Sequence, residues 1–198
     1  VLEADKPLAQ AGYGLLYTHG NAPYLTDAAP REILQTQRDI GALFERAAER
    51  AGYTPRDIVV VDTHIIVDPA DPTFAQPIKP IGRAGPDGTR LRVPSPRPLA
   101  LFAGDVEQIY WALRAGRIVV AGGGGGIPLI AAEEAGRVPA ALVDRGYVVR
   151  HGGRTFYGVR GVVDKDRTTA LLTEALEAWG LAMRVMKIAT EHPVTRDF

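Results

Sequence analysis

Five consecutive glycines occupy residues 122–126, between the apolar run 118–121 and Ile127-Pro128. Each glycine in a helix interior costs about 1 kcal/mol relative to alanine, so no helix runs through this segment. What remains is a buried strand ending in a loop whose backbone can reach φ > 0 and approach a neighbour or ligand without an intervening Cβ. Successive N–H groups in such a loop can close on phosphate oxygens. The run matches neither Gly-x-Gly-x-x-Gly nor a Walker A sequence ending in Gly-Lys-Ser/Thr. A flexible or tightly packed glycine turn therefore stands as the alternative reading. The longest apolar region, 118–132, contains this run and Pro128 and is too short and too interrupted for a membrane-spanning helix.

Helical and strand patterns alternate on either side. Residues 14–18 read as a short buried strand leading into His19-Gly20-Asn21. Residues 30–51 place Ile33, Leu34, Ile40, Leu43, Phe44 and Ala47 at helical spacing, with Gly52 as a stop. Residues 57–67 carry two β-branched runs. Residues 68–98 are proline-rich and predict an irregular or small β excursion, and 105–115 predict a helix. Residues 147–150 and 154–157 flank His151-Gly152-Gly153 as a β-hairpin. A helix follows at 168–179, and 183–189 continues it or forms a last strand. Apolar strands separated by helices imply an α/β, three-layer αβα sandwich with a largely parallel sheet. Ligands in such sheets sit outside the carboxyl ends of the strands. The length of 198 residues fits one domain, with a small protruding lobe near 68–98 and an inserted hairpin near 137–160.

Composition removes several function classes. The 23 cationic side chains balance 23 acidic ones, which gives no reason to expect nucleic acid or an anionic membrane as partner. Without cysteine there is no disulfide, thiolate metal site or cysteine nucleophile. The first residues show neither a basic nor an apolar leader region, so cytoplasm is the expected location. The four histidines have no ligand-like spacing, and no zinc site is legible. Asp62, Asp68 and Asp71 suggest a metal only weakly, because Asp68-Pro69 and Asp71-Pro72 are also ordinary turn signals.

Two further groups point to phosphate chemistry. Only four of the cations are lysines: Lys6, Lys79, Lys165 and Lys187. Asp164-Lys165-Asp166 lies at a strand-to-helix junction, where a lysine can neutralise charge on a transferring phosphoryl group and a carboxylate can orient it. The plainer reading of this triplet is an acidic helix start complementing the helix dipole. Lys79 is framed by Pro77 and Pro80, which restrict the backbone around one cation.

These pieces occur in an order that resembles carbamate kinase, of the amino acid kinase superfamily. Thr18-His19-Gly20-Asn21 is similar to the family's Thr/Ser-His-Gly-Asn block. Val67-Asp68-Pro69-Ala70-Asp71-Pro72 through Lys79-Pro80-Ile81-Gly82 is similar to its Val-Asp-Pro-x-Asp-Pro…Lys-Pro-Ile-Gly block. Val93-Pro94-Ser95-Pro96-Arg97-Pro98 and the run from Gly123 to Pro128 resemble two further blocks, and Gly161 to Asp166 resembles the Asp-Lys-Asp block. The resemblance implies reversible phosphoryl transfer between carbamoyl phosphate and ADP, with ATP/ADP and Mg²⁺, in a homodimer. It implies that Lys79 reaches the phosphate or carbamoyl group from the small lobe, and that Lys165 neutralises phosphoryl charge while Asp166 orients the lysines. Gly123, Gly124, Gly125 and Gly126 would line the substrate end, joined by His19, Gly20, Asn21 and Asp164. Ala22 and Tyr24 depart from the first block. The family's Gly-Gly-Asn strand is not legible before His19, nor is its lysine-bearing nucleotide segment after 189. The connection 131–157 is longer than usual. A shortened, inactive homologue with a ligand-binding or assembly role is the alternative.

Overall fold

The computed structural model describes residues 15–18, 25–123 and 125–183. Its elements in chain order are β1 (Leu15–Thr18), α1 (Pro30–Arg50), β2 (Ile58–Val61), β3 (His64–Val67), β4 (Lys79–Ile81), β5 (Leu91–Val93) and β6 (Pro98–Leu101). They continue as α2 (Ala103–Arg114), β7 (Ile118–Gly123), β8 (Ile127–Ala131), β9 (Val143–His151), β10 (Arg154–Val159) and α3 (Lys165–Ala178).

β7 is the centre of an all-parallel sheet in the order β1-β7-β2. Its alternating side chains show why helices cover both faces. Ile118 and Val120 pack with Phe44 and Ala48 of α1. Val119 and Ala121 join the larger core with Ile109 and Leu113 of α2 and Leu172 and Leu176 of α3. The layers are therefore α1, sheet, and α2 with α3. At its start, α1 takes Pro30 into its first turn and turns the Glu32 carboxylate back onto the amides of Thr26, Asp27 and Ala28.

Two neighbouring strands then step together into a second sheet, ordered β6-β3-β8-β10-β9. β2 continues through Asp62-Thr63 into β3, and β7 continues through the glycine loop into β8. β3 and β8 stay parallel, while the remaining pairs of this sheet are antiparallel. The two crossings lie side by side, because the Ile127 amide donates to the Thr63 carbonyl at 2.8 Å. The strand signal over 57–67 is thus two strands in two sheets. β4 and β5 form a separate two-stranded ribbon, and the expected hairpin runs longer, from Val143 to Val159. Among the described residues no helix is long and apolar enough to cross a membrane.

Candidate functional site

The carboxyl ends of β7 and β2 open onto the glycine loop and the start of α3. Asp164 caps α3: its Oδ1 accepts from the amides of Asp166 at 3.1 Å and Arg167 at 3.0 Å. Lys165 and Asp166 fill the first turn, Lys165 half-buried and Asp166 exposed. Thr168, fully buried, shares its hydroxyl proton between the carbonyls of Gly125 at 2.9 Å and Asp164 at 3.0 Å. The glycine loop is thereby tied to the helix start that carries Lys165.

Gly125 makes the close approach possible. It has φ +85°, and a Cβ there would overlap the Val163 carbonyl oxygen and lie 2.8 Å from its carbon. The tight-packing reading of the glycine run holds at this residue, which sets the loop against the start of α3. At Gly122 a Cβ would run into the Thr63 hydroxyl and come within 2.6 Å of the Gln37 amide.

Lys79 opens β4, half-buried. It shares a strand face with Ile81 two residues on, and Ile81 packs with Val93, Ile127 and Val162. That cluster anchors the ribbon beside residues that flank the glycine loop and precede Asp164. Asp68 and Asp71 both bind Arg97, which lies beyond the ribbon in sequence. Asp68 pairs with Arg97 at 2.5 Å, and Asp71 accepts from Thr73 and from the Arg97 amide. The Arg97 hydrogen bond holds the Asp68 carboxyl below its ordinary range. For Asp71 burial pushes upward, but the hydrogen bonds from Thr73 and Arg97 outweigh it. Both acids act as a structural clasp, and among the described residues no group of three or more acids or histidines could hold a metal.

Gly123, Gly125, Gly126, Asp164, Lys165 and Asp166 come together around the loop and the α3 start. Lys79 belongs to the neighbouring ribbon. His19, Gly20, Asn21 and Gly124 lie outside the described residues. β1 ends with Thr18 in register with Gly123.

The sequence reading missed a buried polar layer beneath the crossings. Gln37, 1% exposed, accepts from the Thr63 amide at 2.8 Å and donates to the Thr63 carbonyl at 3.1 Å. Asp105 accepts from the His64 amide at 2.6 Å and from its ring Nδ1 at 3.0 Å, and His64 Nε2 meets the Tyr147 hydroxyl at 2.8 Å. A signal for Gln37 existed: it sits between Ile33 and Ile40 on the apolar face of α1. None linked His64, Asp105 and Tyr147.

Burial pushes the Tyr147 phenol up to about 12, with Asp62 and Asp105 adding to the rise and Arg38 and Arg31 opposing it. A phenol pKa raised by folding contributes stability that is complete below the ordinary value near 10 and lost as pH rises through about 12. Alkaline titration followed by tyrosinate absorbance should show one phenol ionising near pH 12 that is missing from Tyr147→Phe. A difference curve centred near 10 would mean that this ring is not buried.

No family model matches the chain. The carbamate kinase of Rhizobium meliloti (strain 1021) is 31% identical over 211 residues, covering 89% of this chain and 58% of the relative. The carbamate kinase of Halobacterium salinarum is 29% identical over 206 residues, covering 86% and 59%. Among solved structures, Giardia carbamate kinase superposes with a TM-score of 0.63 at 25% identity, covering 86% of this chain and 58% of that one. The chain thus spans about three-fifths of the length of the curated relatives it matches.

Proposed function

We propose that this chain, carbamate kinase-like in sequence and fold, serves reversible phosphoryl transfer between carbamoyl phosphate, or a related acyl phosphate, and ADP. The bond from phosphorus to the carbamoyl oxygen breaks, and one to the β-phosphate oxygen of ADP forms, leaving carbamate and ATP. Such transfer needs positioning and cations more than covalent catalysis. The observation that carries this reading is the Thr168 bridge, which sets Gly125 against the first turn bearing Lys165 and Asp166.

In this reading the amides of Gly125 and Gly126 receive phosphoryl oxygens. Lys165 neutralises charge that spreads over the transferring group, and Asp166 orients the lysine. Lys79 approaches from the β4–β5 ribbon toward the acyl end. In this reading His19, Gly20 and Asn21 serve the same end. The donor set fits Mg²⁺ only as an ion carried by the nucleotide phosphates, with Asp166 or the second oxygen of Asp164 contributing, since no protein cage is assembled among the described residues. When bound there, the ion would supply neutralisation of phosphate charge.

The test is ATP formation from ADP and carbamoyl phosphate by the full-length gene product with Mg²⁺. ATP should appear in proportion to enzyme. A folded protein that forms none, under conditions where a known carbamate kinase turns over, would remove the reading.

A further inference from the structure

The β9–β10 hairpin reaches into the layer beneath the glycine loop. β10 pairs Tyr157 with Val148, but its next residue, Gly158, pairs with Asp144, so residues 145–147 bulge out of the ladder. Asp144 builds this bulge by accepting from the amides of Gly146 at 2.9 Å and Tyr147 at 3.2 Å. Bulges redirect side chains, and this one delivers the Tyr147 hydroxyl to His64 Nε2 at 2.8 Å. Phe102 secures the hairpin through edge-on contacts with His151 and Phe156, and it also packs edge-on against His64.

The protonation pattern follows from the donor inventory. The Asp105 carboxylate only accepts, so His64 Nδ1 carries the proton it gives to Oδ2, and in the neutral ring Nε2 accepts from Tyr147. His64 is thereby held by its ring at both ends and by its own amide. The preceding residue, Thr63, is held by Gln37 at both its amide and carbonyl, and the same carbonyl receives the Ile127 amide. An unbroken series of short contacts runs from the hairpin through the 62–64 crossing to the end of the glycine loop.

We propose that Tyr147 is a positioning residue, which through His64 and Thr63 fixes the conformation of the Gly126–Ile127 end of the glycine loop. The consequence for substrate rests on the phosphoryl-transfer reading above: a loop held in its binding form takes phosphate groups with the affinity of that form. When only a fraction of molecules holds that form, apparent affinity falls by the same fraction.

The test compares wild type, Tyr147→Phe and His64→Gln in the whole protein. Amide hydrogen exchange is read at Ile127 and at Val119 of the central strand, and inorganic phosphate is titrated against the Gly125 and Gly126 amide resonances. Removing one neutral hydrogen bond should speed exchange at Ile127 about fivefold in Tyr147→Phe with Val119 unchanged, and should weaken phosphate binding by a similar factor. The His64 Nε2 resonance should move while Nδ1 keeps its proton. His64→Gln supplies both a donor for Asp105 and an acceptor for Tyr147, so it should retain Ile127 protection. Unchanged exchange at Ile127 in Tyr147→Phe, or equal loss at Ile127 and Val119, would overturn the coupling. Faster exchange at Ile127 alone, with no phosphate binding in the wild type, would sustain the coupling and count against the phosphoryl-transfer reading.

Discussion

Gly125→Ala should destabilise the protein by roughly 2–5 kcal/mol, read as a lowered urea midpoint at constant slope. Two costs combine. A residue with a Cβ at φ +85° carries a conformational penalty of about 1–2 kcal/mol. The new methyl also meets the Val163 carbonyl, which is backbone and cannot rotate away, and overpacking of this kind costs about 1–3 kcal/mol. Relief would require the α3 start to move, breaking the Thr168 bridge to Gly125 and displacing Lys165. Phosphate binding should therefore be lost together with stability. Gly136→Ala is the control: nothing lies within 4 Å of its Cβ position, so its effect should stay within about 0.5 kcal/mol. If Gly125→Ala cost less than about 1 kcal/mol, the loop would not be packed as described.

The same contact shows how far local sequence signals reach. That the five glycines end a buried strand was legible, because no regular helix tolerates them. What they pack against was not, since Val163 and Thr168 lie about forty residues away and only the tertiary fold brings them back. α1 was legible nearly to the residue, Pro30–Arg50 against 30–51, because its apolar spacing and its stop signal agree. The break between β2 and β3 was not. Residues 57–67 give one β-branched strand signal, yet Gln37 and Asp105 supply the hydrogen bonds that let the chain leave one sheet and enter another at 62–64. Pro128 likewise argues against a central strand. β8 tolerates it because Ile127 donates to the β3 side, so the proline nitrogen faces the β10 side, where pairing begins only at Leu129 and Gly158.

The candidate site divides the same way. Lysines in strand-to-helix and proline-framed contexts stand out because the residue types are scarce and their chemistry is narrow. The Tyr147–His64–Asp105 series was hidden because its members lie 41 and 83 residues apart along the chain and each is ordinary in its own segment. The hairpin was expected, but its bulge was not. An Asp144 carboxylate folding the next residues back on itself leaves no periodic signature, and the bulge decides which side chain faces His64.

Lys165→Ala should lower kcat and kcat/KM together by about 10²–10³ or more, while the thermal transition stays nearly unchanged. Loss of one preorganised group that stabilises developing charge has this magnitude. Equal loss in both constants marks an interaction made in the transition state rather than in substrate binding. Stability should be largely spared because other groups hold the backbone of the helix start. Asp164 provides the cap through the amides of Asp166 and Arg167, Thr168 provides the tie to Gly125, and alanine is the best helix former for the vacated position. Lys165→Arg retains the charge but spreads it over a planar fork in place of a compact ammonium, so it should recover part of the activity and not all of it. A Lys165→Ala protein with full turnover would remove the lysine from the chemistry. A Lys165→Ala protein that loses several kcal/mol of stability would identify the side chain as part of the helix start instead, and the drop in rate would then follow from unfolding.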